Sequence, residues 1–479
     1  MMRRLLTVAL LLAILPPVLG LPAAAQQGFV GRVEVTPDRG PVGTRITLVG
    51  SGLPPNAALT LVWETVDADW VLEHENGEYI GIFTGRTFSE VQYPIMSVVT
   101  DAGGRFTALL KVPEDYGGTR DIYVVLGDRV LTKAGFRILP QATMTPAKGP
   151  VGTPIRFTIT GLDPVQPLET WYWLLYDNTL AGYITAIRTK GTARFTVPAT
   201  GTPGLHVVDL QTGAPGAPYR AKSQSPLKFI PIFRFAFTLT PGSPVVPPPI
   251  EAQLAKPAPG LEPALASPVL WSDPRSAPVG ARAVLRGKGL TPGDPVELFF
   301  YNMKGSRVTT SGFVSYNEPM GTVTVGADGR FEFRYAIPDH LGGFHKITAR
   351  VRGKEVAATV LTTDRTALPL SATEVKVGDE IVVHLKGIGW TETDNIVAIL
   401  YDNAYIGYAC GFNSDGDVII KISATGAPGW HYIDLYPTFY RNKDYSKAME
   451  LPFLYRHAML SWQDHPQPFV FRYAFKIVK

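Results

Sequence analysis

A set of aromatic, acidic, amide and basic residues occurs twice in this 479-residue chain, in the same order each time. The first set is Tyr176, Asp177, Asn178, Tyr183, Arg220 and Lys222, and the second set is Tyr401, Asp402, Asn403, Tyr408, Arg441 and Lys443. In sugar-binding sites an aromatic ring stacks on the ligand, and a few polar groups fix its orientation. The repeated set therefore predicts a ligand site in each half of the chain, for a sugar or an acidic polymer.

The same residues also have a purely structural interpretation. An Asp-Asn pair suits the turn of a hairpin, here between predicted strands at 171–176 and 183–187. His206 and Asp209 follow in the first half, and an equivalent pair follows in the second. Residues three apart on a strand point to opposite faces, so His206 and Asp209 cannot meet one ligand. The sequence favours the structural interpretation and leaves both open.

A second candidate site is the acidic stretch between residues 63 and 79. Its carboxylates include Asp67, Asp69, Glu73 and Glu75, and calcium prefers oxygen ligands of this kind. The spacing matches no familiar calcium loop, and the alternative is a solvated hairpin tip. Calcium is the one metal that these residues suggest, and no cofactor is predicted.

Sequence signatures of the common enzyme classes are missing from the chain. It has no Gly-x-Ser-x-Gly elbow, no His-Glu-x-x-His, no Walker loop and no Gly-rich dinucleotide fingerprint. A glycosidase could still bring two carboxylates together from distant parts of the sequence. We therefore expect a protein without enzymatic activity, and a hydrolase is the weakest alternative.

The elements that would position these residues come from a motif with four copies. The copies are Gly40-Pro41-Val42-Gly43, Gly149-Pro150-Val151-Gly152, Ala277-Pro278-Val279-Gly280 and, more loosely, Val375-Lys376-Val377-Gly378. Proline presets φ, and glycine accepts the positive φ of a tight turn. An alternating run follows each turn and indicates a half-buried strand. This repetition predicts an all-β chain of four immunoglobulin-like β-sandwich domains.

The fuller pattern, Pro-x-x-Gly-Pro-Val-Gly-Thr followed by Gly-x-Gly-Leu, begins at Pro37. It resembles the start of IPT/TIG-type immunoglobulin-like domains of bacterial surface and secreted proteins. The resemblance covers the opening strands of each module, and it implies the fold without implying any catalytic residue. The fourth copy departs from the pattern at Lys376, which replaces the proline.

The predicted organisation is a duplicated two-domain unit. Residues 1–25 have the basic start, apolar run and small-residue end of a signal peptide. Internal similarity pairs the first domain with the third and the second with the fourth. The predicted immunoglobulin-like domains are 28–140, 141–240, 268–366 and 367–479, with a Pro-rich linker at 241–267.

Composition agrees with an exported β-protein. Hydrophobic residues make up 45% of the chain, which is ample for packed cores, and its 47 Gly and 42 Pro suit many turns. The net charge of +4 does not indicate a nucleic-acid partner. The lone Cys410 is expected to be buried, and Trp173 is expected to face a sandwich core.

These observations predict a binding or scaffolding protein that acts outside the cytoplasm, at the cell surface, in the periplasm or beyond the cell. Its expected partner is an envelope component, a glycan or another protein, and no transmembrane span is expected in the mature chain. The alternative function is an array of carbohydrate-binding modules for envelope or environmental glycan. Exposure of Tyr183 and Tyr408 beside Asp177 and Asp402 would favour that alternative.

Overall fold

A computed structural model describes most of the chain as β-strands and connecting turns. The residues described are 28–74, 81–163, 172–212, 218, 220–221, 224, 232–248, 250–254, 269–306, 312–389, 396–411, 413–438, 457–464 and 469–479. The predicted signal peptide lies outside them. No helix in these ranges is long and apolar enough to cross a membrane.

The strands of the first half follow one another with short connections. The first eight are β1 (Arg32–Thr36), β2 (Arg39–Gly40), β3 (Arg45–Ser51), β4 (Ala58–His74), β5 (Gly81–Val99), β6 (Phe106–Lys111), β7 (Gly118–Leu126) and β8 (Arg129–Ile138). The next eight are β9 (Gln141–Thr145), β10 (Lys148–Gly149), β11 (Pro154–Thr160), β12 (Tyr172–Tyr176), β13 (Thr179–Ile184), β14 (Ala193–Pro198), β15 (Gly204–Thr212) and β16 (Phe233–Leu239).

The second half has the same kind of strand order. It begins with β17 (Ile250–Leu254), β18 (Leu270–Asp273), β19 (Ser276–Pro278), β20 (Arg282–Gly287), β21 (Pro295–Ser306), β22 (Gly312–Thr324), β23 (Phe331–Ala336), β24 (Gly343–Val351) and β25 (Lys354–Asp364). It continues with β26 (Thr366–Ala367), β27 (Glu374–Val375), β28 (Glu380–Lys386), β29 (Ile396–Tyr401), β30 (Ala404–Cys410), β31 (Val418–Ser423), β32 (Gly429–Pro437), β33 (Ala458–Met459) and β34 (Phe469–Ile477).

These strands form four β-sandwiches, numbered here in chain order, each with a three-stranded sheet against a larger sheet. Sandwich one packs β1-β3-β6 on β2-β8-β7-β4-β5, and sandwich three packs β18-β20-β23 on β19-β25-β24-β21-β22. Sandwich two packs β14-β11-β9 on β10-β16-β15-β12-β13, and sandwich four packs β26-β28-β31 on β17-β34-β32-β29-β30. The matching orders confirm the predicted all-β, immunoglobulin-like and duplicated architecture.

The repeated turn motif opens each sandwich as predicted. Its closing glycines have φ between 77° and 91°, and they are Gly43, Gly152, Gly280 and Gly378. Side chains with a Cβ rarely adopt such values, so the turn selects glycine. The strand that follows then alternates, and in β3 the side chains of Ile46 and Leu48 point into the core.

Sandwiches one and two meet where backbone packs directly on backbone. The Gly117 amide donates to the Leu162 carbonyl at 3.1 Å, and a Cβ on Gly117 would lie 2.1 Å from the Gly161 oxygen. Sandwiches three and four repeat this contact, since a Cβ on Gly342 would lie 1.8 Å from the Gly387 oxygen. Only glycine allows so close an approach, which fixes the two sandwiches of each pair against one another.

Sandwiches two and four also pack together. Ala398 and Leu400 of β29 belong to the same cluster of buried side chains as the core of sandwich two. In addition, β33 pairs in parallel with β13, so that Ala458 lies opposite Gly182 and extends the large sheet of sandwich two. The two halves of the chain are therefore joined through a shared hydrophobic core.

The prediction of a linker at 241–267 is corrected in part by two contacts. Strand β17 lies inside this segment and pairs antiparallel with β34, as an added strand of sandwich four. Nearby, the Val245 amide donates to the Val151 carbonyl at 2.8 Å, and its own carbonyl accepts from the Tyr432 hydroxyl at 3.0 Å. Prolines flank β17 but are absent from it, so its amides remain able to pair. The described part of the predicted linker is therefore held against sandwiches two and four.

Two predictions about single side chains were wrong. Trp173 is fully buried, but it lies on the outer face of its sheet, whereas Tyr172 points into the sandwich core. Both faces of β12 are covered, so alternation gave no indication of which face is the core. Cys410 is exposed rather than buried, because it lies on β30, at one edge of the large sheet of sandwich four.

Candidate functional site

The two Asp-Asn pairs form the turns of equivalent hairpins. Asp177 and Asn178 have φ of 48° and 66°, and Asp402 and Asn403 have 49° and 65°. Two successive left-handed residues define the type I′ turn, which matches the twist of a hairpin and favours Asn and Asp. The turn that sequence predicted here is confirmed in both halves.

A histidine from the neighbouring strand holds each turn in place. His206 Nδ1 lies 2.5 Å from Asp177 Oδ2, and His431 Nδ1 lies 2.5 Å from Asp402 Oδ2. Burial lowers the pKa of His431, but the hydrogen bond and negative charge of Asp402 outweigh burial, so the net shift of this pKa is upward. The second oxygen of Asp177 accepts from the Val207 amide at 2.9 Å. Both aspartates therefore bind groups of the protein itself.

The tyrosines that precede these turns also serve the fold. The Tyr176 hydroxyl donates to the Thr200 carbonyl at 2.9 Å, and the Tyr401 hydroxyl donates to the Thr425 carbonyl at 2.6 Å. Burial is the main reason that the pKa of Tyr176 is raised to about 12. Each tyrosine thus ties a hairpin to the loop that follows β14 or β31.

The remaining members of the repeated sets differ between the halves. Tyr183 is buried, whereas Tyr408 is 43% exposed, so the exposure that would favour the glycan alternative is absent in sandwich two. Asn403 is buried, and its amide donates to the Pro198 carbonyl at 2.8 Å. Asn178 instead accepts a hydrogen bond at the surface. Three predicted residues, Lys222, Arg441 and Lys443, lie outside the described residues.

The acidic stretch of β4 reaches across to sandwich two. Lys190 Nζ lies 2.7 Å from Asp67 Oδ1, and Arg188 Nε lies 3.2 Å from Asp69 Oδ1. The side chains of Glu73 and Glu75 lie outside the described residues. Among the side chains that the structure describes, no group of three or more His, Cys, Asp or Glu could hold a metal ion. The two described carboxylates of the predicted calcium site are engaged with cations of a neighbouring sandwich.

The outer face of the large sheet in sandwich four is a contact surface, here called the docked face. It carries four buried polar side chains, those of Tyr432, Asp434, Tyr436 and Arg472. Asp434 holds the Arg472 guanidinium through two hydrogen bonds of 2.7 and 2.9 Å. The same guanidinium donates at 3.3 Å to the Thr196 carbonyl of β14. The docked face therefore grips a main-chain carbonyl on the edge of sandwich two.

The equivalent outer face of sandwich two carries Leu205, Val207, Asp209, Gln211 and Arg234. Asp209 and Gln211 are buried, whereas the other three side chains are exposed, and this exposed part is here called the open face. Asp209 holds Arg234 through two hydrogen bonds of 2.7 and 2.9 Å, as in sandwich four. The hydrogen bond from Arg234 is the main reason that the pKa of Asp209 is lowered. Here, however, the Arg234 side chain is 69% exposed.

Two of the predicted ligand residues extend this polar network. Arg220 Nη1 donates to Gln211 Oε1 at 3.5 Å, and Arg220 Nη2 donates to Asn178 Oδ1 at 3.2 Å. Gln211 in turn donates to Asp209 at 2.9 Å. A guanidinium held in a fixed orientation, as those of Arg220 and Arg234 are, can donate hydrogen bonds to carboxylate or carbonyl groups of a partner. The open face is therefore the best candidate binding site in the described residues.

Sequence reasoning missed the centre of this site. The sequence predicts correctly that Asp209 faces away from His206, but it assigns no role to Arg234. One signal was available, since Arg234 and Arg472 are charged residues inside aromatic strands of matching sequence. A charge in such a strand requires a partner, and the partner proves to be the aspartate on the adjacent strand.

Comparison with known proteins finds only distant similarity. No protein-family profile matches the chain, and no curated protein matches it. One similar solved structure is a Salmonella alpha-2-macroglobulin, with 10% identity over 85% of this chain and a TM-score of 0.17. Another is the integrin-binding bacterial protein invasin, with 10% identity over 94% of this chain and a TM-score of 0.18. A third is the ICAM-5 D1–D4 fragment, with 12% identity over 86% of this chain and a TM-score of 0.17. The match covers 30% of the alpha-2-macroglobulin, 79% of invasin and 96% of the ICAM-5 fragment. Similarity this low carries no information about fold, function or partner.

Proposed function

We propose that the protein is an exported, non-enzymatic scaffold of IPT/TIG-type immunoglobulin-like domains that binds a partner at a bacterial cell surface. Two glycine-packed pairs of sandwiches share a hydrophobic core, which makes a rigid support. On that support, the open face presents the Arg234 guanidinium in a fixed orientation. A rigid scaffold with a preorganised surface suits binding because little ordering entropy is lost on association.

The observation that carries this proposal is the exposed Arg234 held by Asp209. In sandwich four the same pair, Arg472 with Asp434, makes a contact between domains. Its counterpart in sandwich two has the geometry of a contact group and remains at the surface. A partner with carbonyl or carboxylate groups would accept hydrogen bonds from the exposed Arg234 guanidinium.

Co-sedimentation with purified envelopes of the producing bacterium tests the proposal. The full mature chain is needed, because sandwiches two and four share a core and the separate halves would expose it. We expect the chain to sediment with envelopes and the Arg234→Ala variant to bind at least about tenfold more weakly, as for an interface arginine.

Arg156→Ala is the matched control, since Arg156 is an exposed arginine of the same sandwich on the opposite sheet. It removes the same charge without touching the open face, so its binding should equal that of the unchanged protein. If the chain fails to sediment at low and at high salt, or if both variants bind equally, the proposed surface function is wrong.

A further inference from the structure

Strand β13, at the edge of the large sheet of sandwich two, receives an added strand from a distant part of the chain. Ala458 and Met459 of β33 run parallel to Gly182 and Tyr183 of β13. The Leu460 amide donates to the Tyr183 carbonyl at 2.9 Å, and all three residues of the added segment are buried. An extended segment with apolar side chains on both faces thus completes this edge.

The end of the added segment is fixed by a side chain. Ser461 Oγ accepts a hydrogen bond from the Thr185 amide at 3.0 Å and donates to the Thr185 carbonyl at 2.6 Å. Thr185 is the residue after β13, and it is only 1% exposed. The main chains also pack closely, since a Cβ on Gly182 would lie 2.4 Å from the Ala458 oxygen. The added segment therefore bonds to and covers the main chain of this edge.

The equivalent edge strand of sandwich four is β30, and its main chain has the same orientation. The two strands align without a gap, so that Gly407 takes the place of Gly182 and Cys410 that of Thr185. Each strand pairs with the strand before it in the same register and with one irregularity at the same point. In an antiparallel pair, the main-chain groups of every second residue point away from the partner strand. Those of Cys410 therefore point outward, as those of Thr185 do.

The outer edge of β30 between Ile406 and Cys410, here called the β30 edge, carries no added strand among the described residues. A Cβ on Gly407 would meet no atom within 4 Å, in contrast to Gly182. Ile406 is 50% exposed, and Cys410 is exposed as well. Charged residues and prolines usually protect sheet edges from pairing, and β30 has neither. The β30 edge is therefore suited to strand addition.

The first half of the chain has a shorter connection where the second half carries β33. Arg472 follows Asp434 by 38 positions, and β33 lies between them. Arg234 follows Asp209 by only 25 positions, and the described residues between β15 and β16 form no strand. The duplicated unit therefore has two receiving edges, but only one segment of this kind within the described ranges. This difference favours an occupant from another molecule.

We propose that the β30 edge binds an extended, uncharged segment of a partner protein as an added strand of sandwich four. In this arrangement a small residue lies against Gly407, as Ala458 lies against Gly182. The residue after it is apolar and lies beside Tyr408. Main-chain hydrogen bonds supply the affinity in such strand addition, and alternate side chains supply the specificity. The edge belongs to a different sandwich from the open face, so this inference does not rest on the proposed function.

Protection of Cys410 from a thiol reagent tests this proposal in the full mature chain. Cys410 is the only cysteine of the sequence, so its reaction with N-ethylmaleimide, followed by mass spectrometry, reports on the β30 edge alone. The probe is a capped synthetic peptide with the sequence of residues 457–462, which includes β33. We expect a saturating concentration of this peptide to slow the reaction at least about fivefold, because thiol reactivity depends on exposure. The matching residue beside β33, Thr185, is buried in this way.

The same peptide with Leu460→Pro is the matched control for the probe. Proline removes the amide that donates to the Tyr183 carbonyl inside the chain, so this peptide should give no protection.

Two exposed isoleucines of sandwich four give a matched pair of protein variants. Ile406→Asp places a charge on the β30 edge and should raise the peptide concentration for half-protection at least about tenfold. Ile419→Asp places the same charge on β31, in the other sheet, and should leave that concentration unchanged. Each variant is compared with its own rate without peptide, and circular dichroism checks that it folds.

Three outcomes would overturn the proposal. The first is no protection by the peptide, or equal protection by the proline peptide. The second is a reaction that slows as the concentration of the protein alone rises, because the occupant would then be a second copy. The third is a thiol that reacts rapidly only after the dilute protein unfolds, which would show that the chain covers its own edge. Arg234→Ala should keep full protection, so failure of strand addition leaves the envelope function standing, and the reverse also holds.

Discussion

The two junctions between paired sandwiches place different groups at the same position of the chain. Between sandwiches one and two, the buried Asp115 accepts a hydrogen bond from Trp63 Nε1 at 2.7 Å, inside sandwich one. Between sandwiches three and four, His340 takes that position, with Nδ1 2.7 Å from Asp415 and Nε2 2.8 Å from Glu318. Asp415 belongs to sandwich four, so the histidine bridges the junction. A shared backbone contact therefore supports two different kinds of electrostatic bond.

The largest loss of stability is expected from substitutions at the glycine contacts that the two junctions share. Gly342→Ala places a Cβ 1.8 Å from the Gly387 oxygen, which must move, and overpacking of this kind costs about 3 kcal/mol. Gly117→Ala should cost a similar amount, since its Cβ would lie 2.1 Å from the Gly161 oxygen. Urea unfolding followed by tryptophan fluorescence measures both changes.

Gly28→Ala is the control for these variants, because a Cβ there meets no atom within 4 Å. The junctions would be shown to differ in rigidity if one alanine were tolerated as well as this control while the other was not.

The next largest loss of stability is expected on substitution of Asp115, which only the first junction contains. Asp115→Ala leaves the buried Trp63 indole and the Thr65 hydroxyl without their acceptor, and each unsatisfied buried donor costs about 1–3 kcal/mol. Asp115→Asn retains one acceptor oxygen and should recover part of the loss. Thermal unfolding of the three proteins measures the difference, and equal stability of the alanine and asparagine variants would contradict this role.

A smaller, pH-dependent effect is expected at His340. Burial lowers the pKa of His340, but the charges and hydrogen bonds of Asp415 and Glu318 outweigh burial and raise it above its ordinary value of 6.5. Because the pKa of His340 is higher in the folded state, the stabilisation by this bridge is complete below about pH 6.5. It is lost as the pH rises through the pKa of His340 in the folded state. Sandwich one has no histidine at this position.

His340→Gln tests this dependence, because it keeps a polar side chain that does not titrate. The stability difference between the unchanged protein and this variant should shrink as pH rises from 5 to about 9. His431 titrates in both proteins, so the comparison removes its contribution. A difference that stays constant over this range would show that the bridge does not depend on protonation.

The smallest effect is expected at the long hairpin of sandwich one. Its Asp67 and Asp69 pair with Lys190 and Arg188, and exposed ion pairs contribute about 0.5 kcal/mol each. The Asp67→Asn, Asp69→Asn double variant should lose about 1 kcal/mol at low salt and less at high salt, as measured by urea unfolding. A calcium titration by calorimetry accompanies it, since calcium-dependent stability lost in the variant would favour the predicted metal site instead.

Local sequence was sufficient to predict the repeating parts of the fold. The Gly-Pro-Val-Gly turns, the alternating strands such as β3 and the type I′ turns at Asp177 and Asp402 all depend on residues next to one another. Positive φ selects glycine, asparagine or aspartate, and alternation places side chains on one face. The duplication was visible for the same reason, because equivalent turns require equivalent residues.

Tertiary structure alone decided which faces are buried. Arg234 and Arg472 occupy matching strands with matching aspartate partners, yet the first is exposed and the second is buried. Tyr183 and Tyr408 also occupy matching positions, but here the first is buried and the second is exposed. The β17 segment, which sequence predicted as linker, likewise pairs with a strand more than two hundred residues away. Alternation along a strand says that a side chain leaves the sheet on a given face. Whether that face meets water or another sandwich depends on contacts between residues hundreds of positions apart, and no local pattern records them.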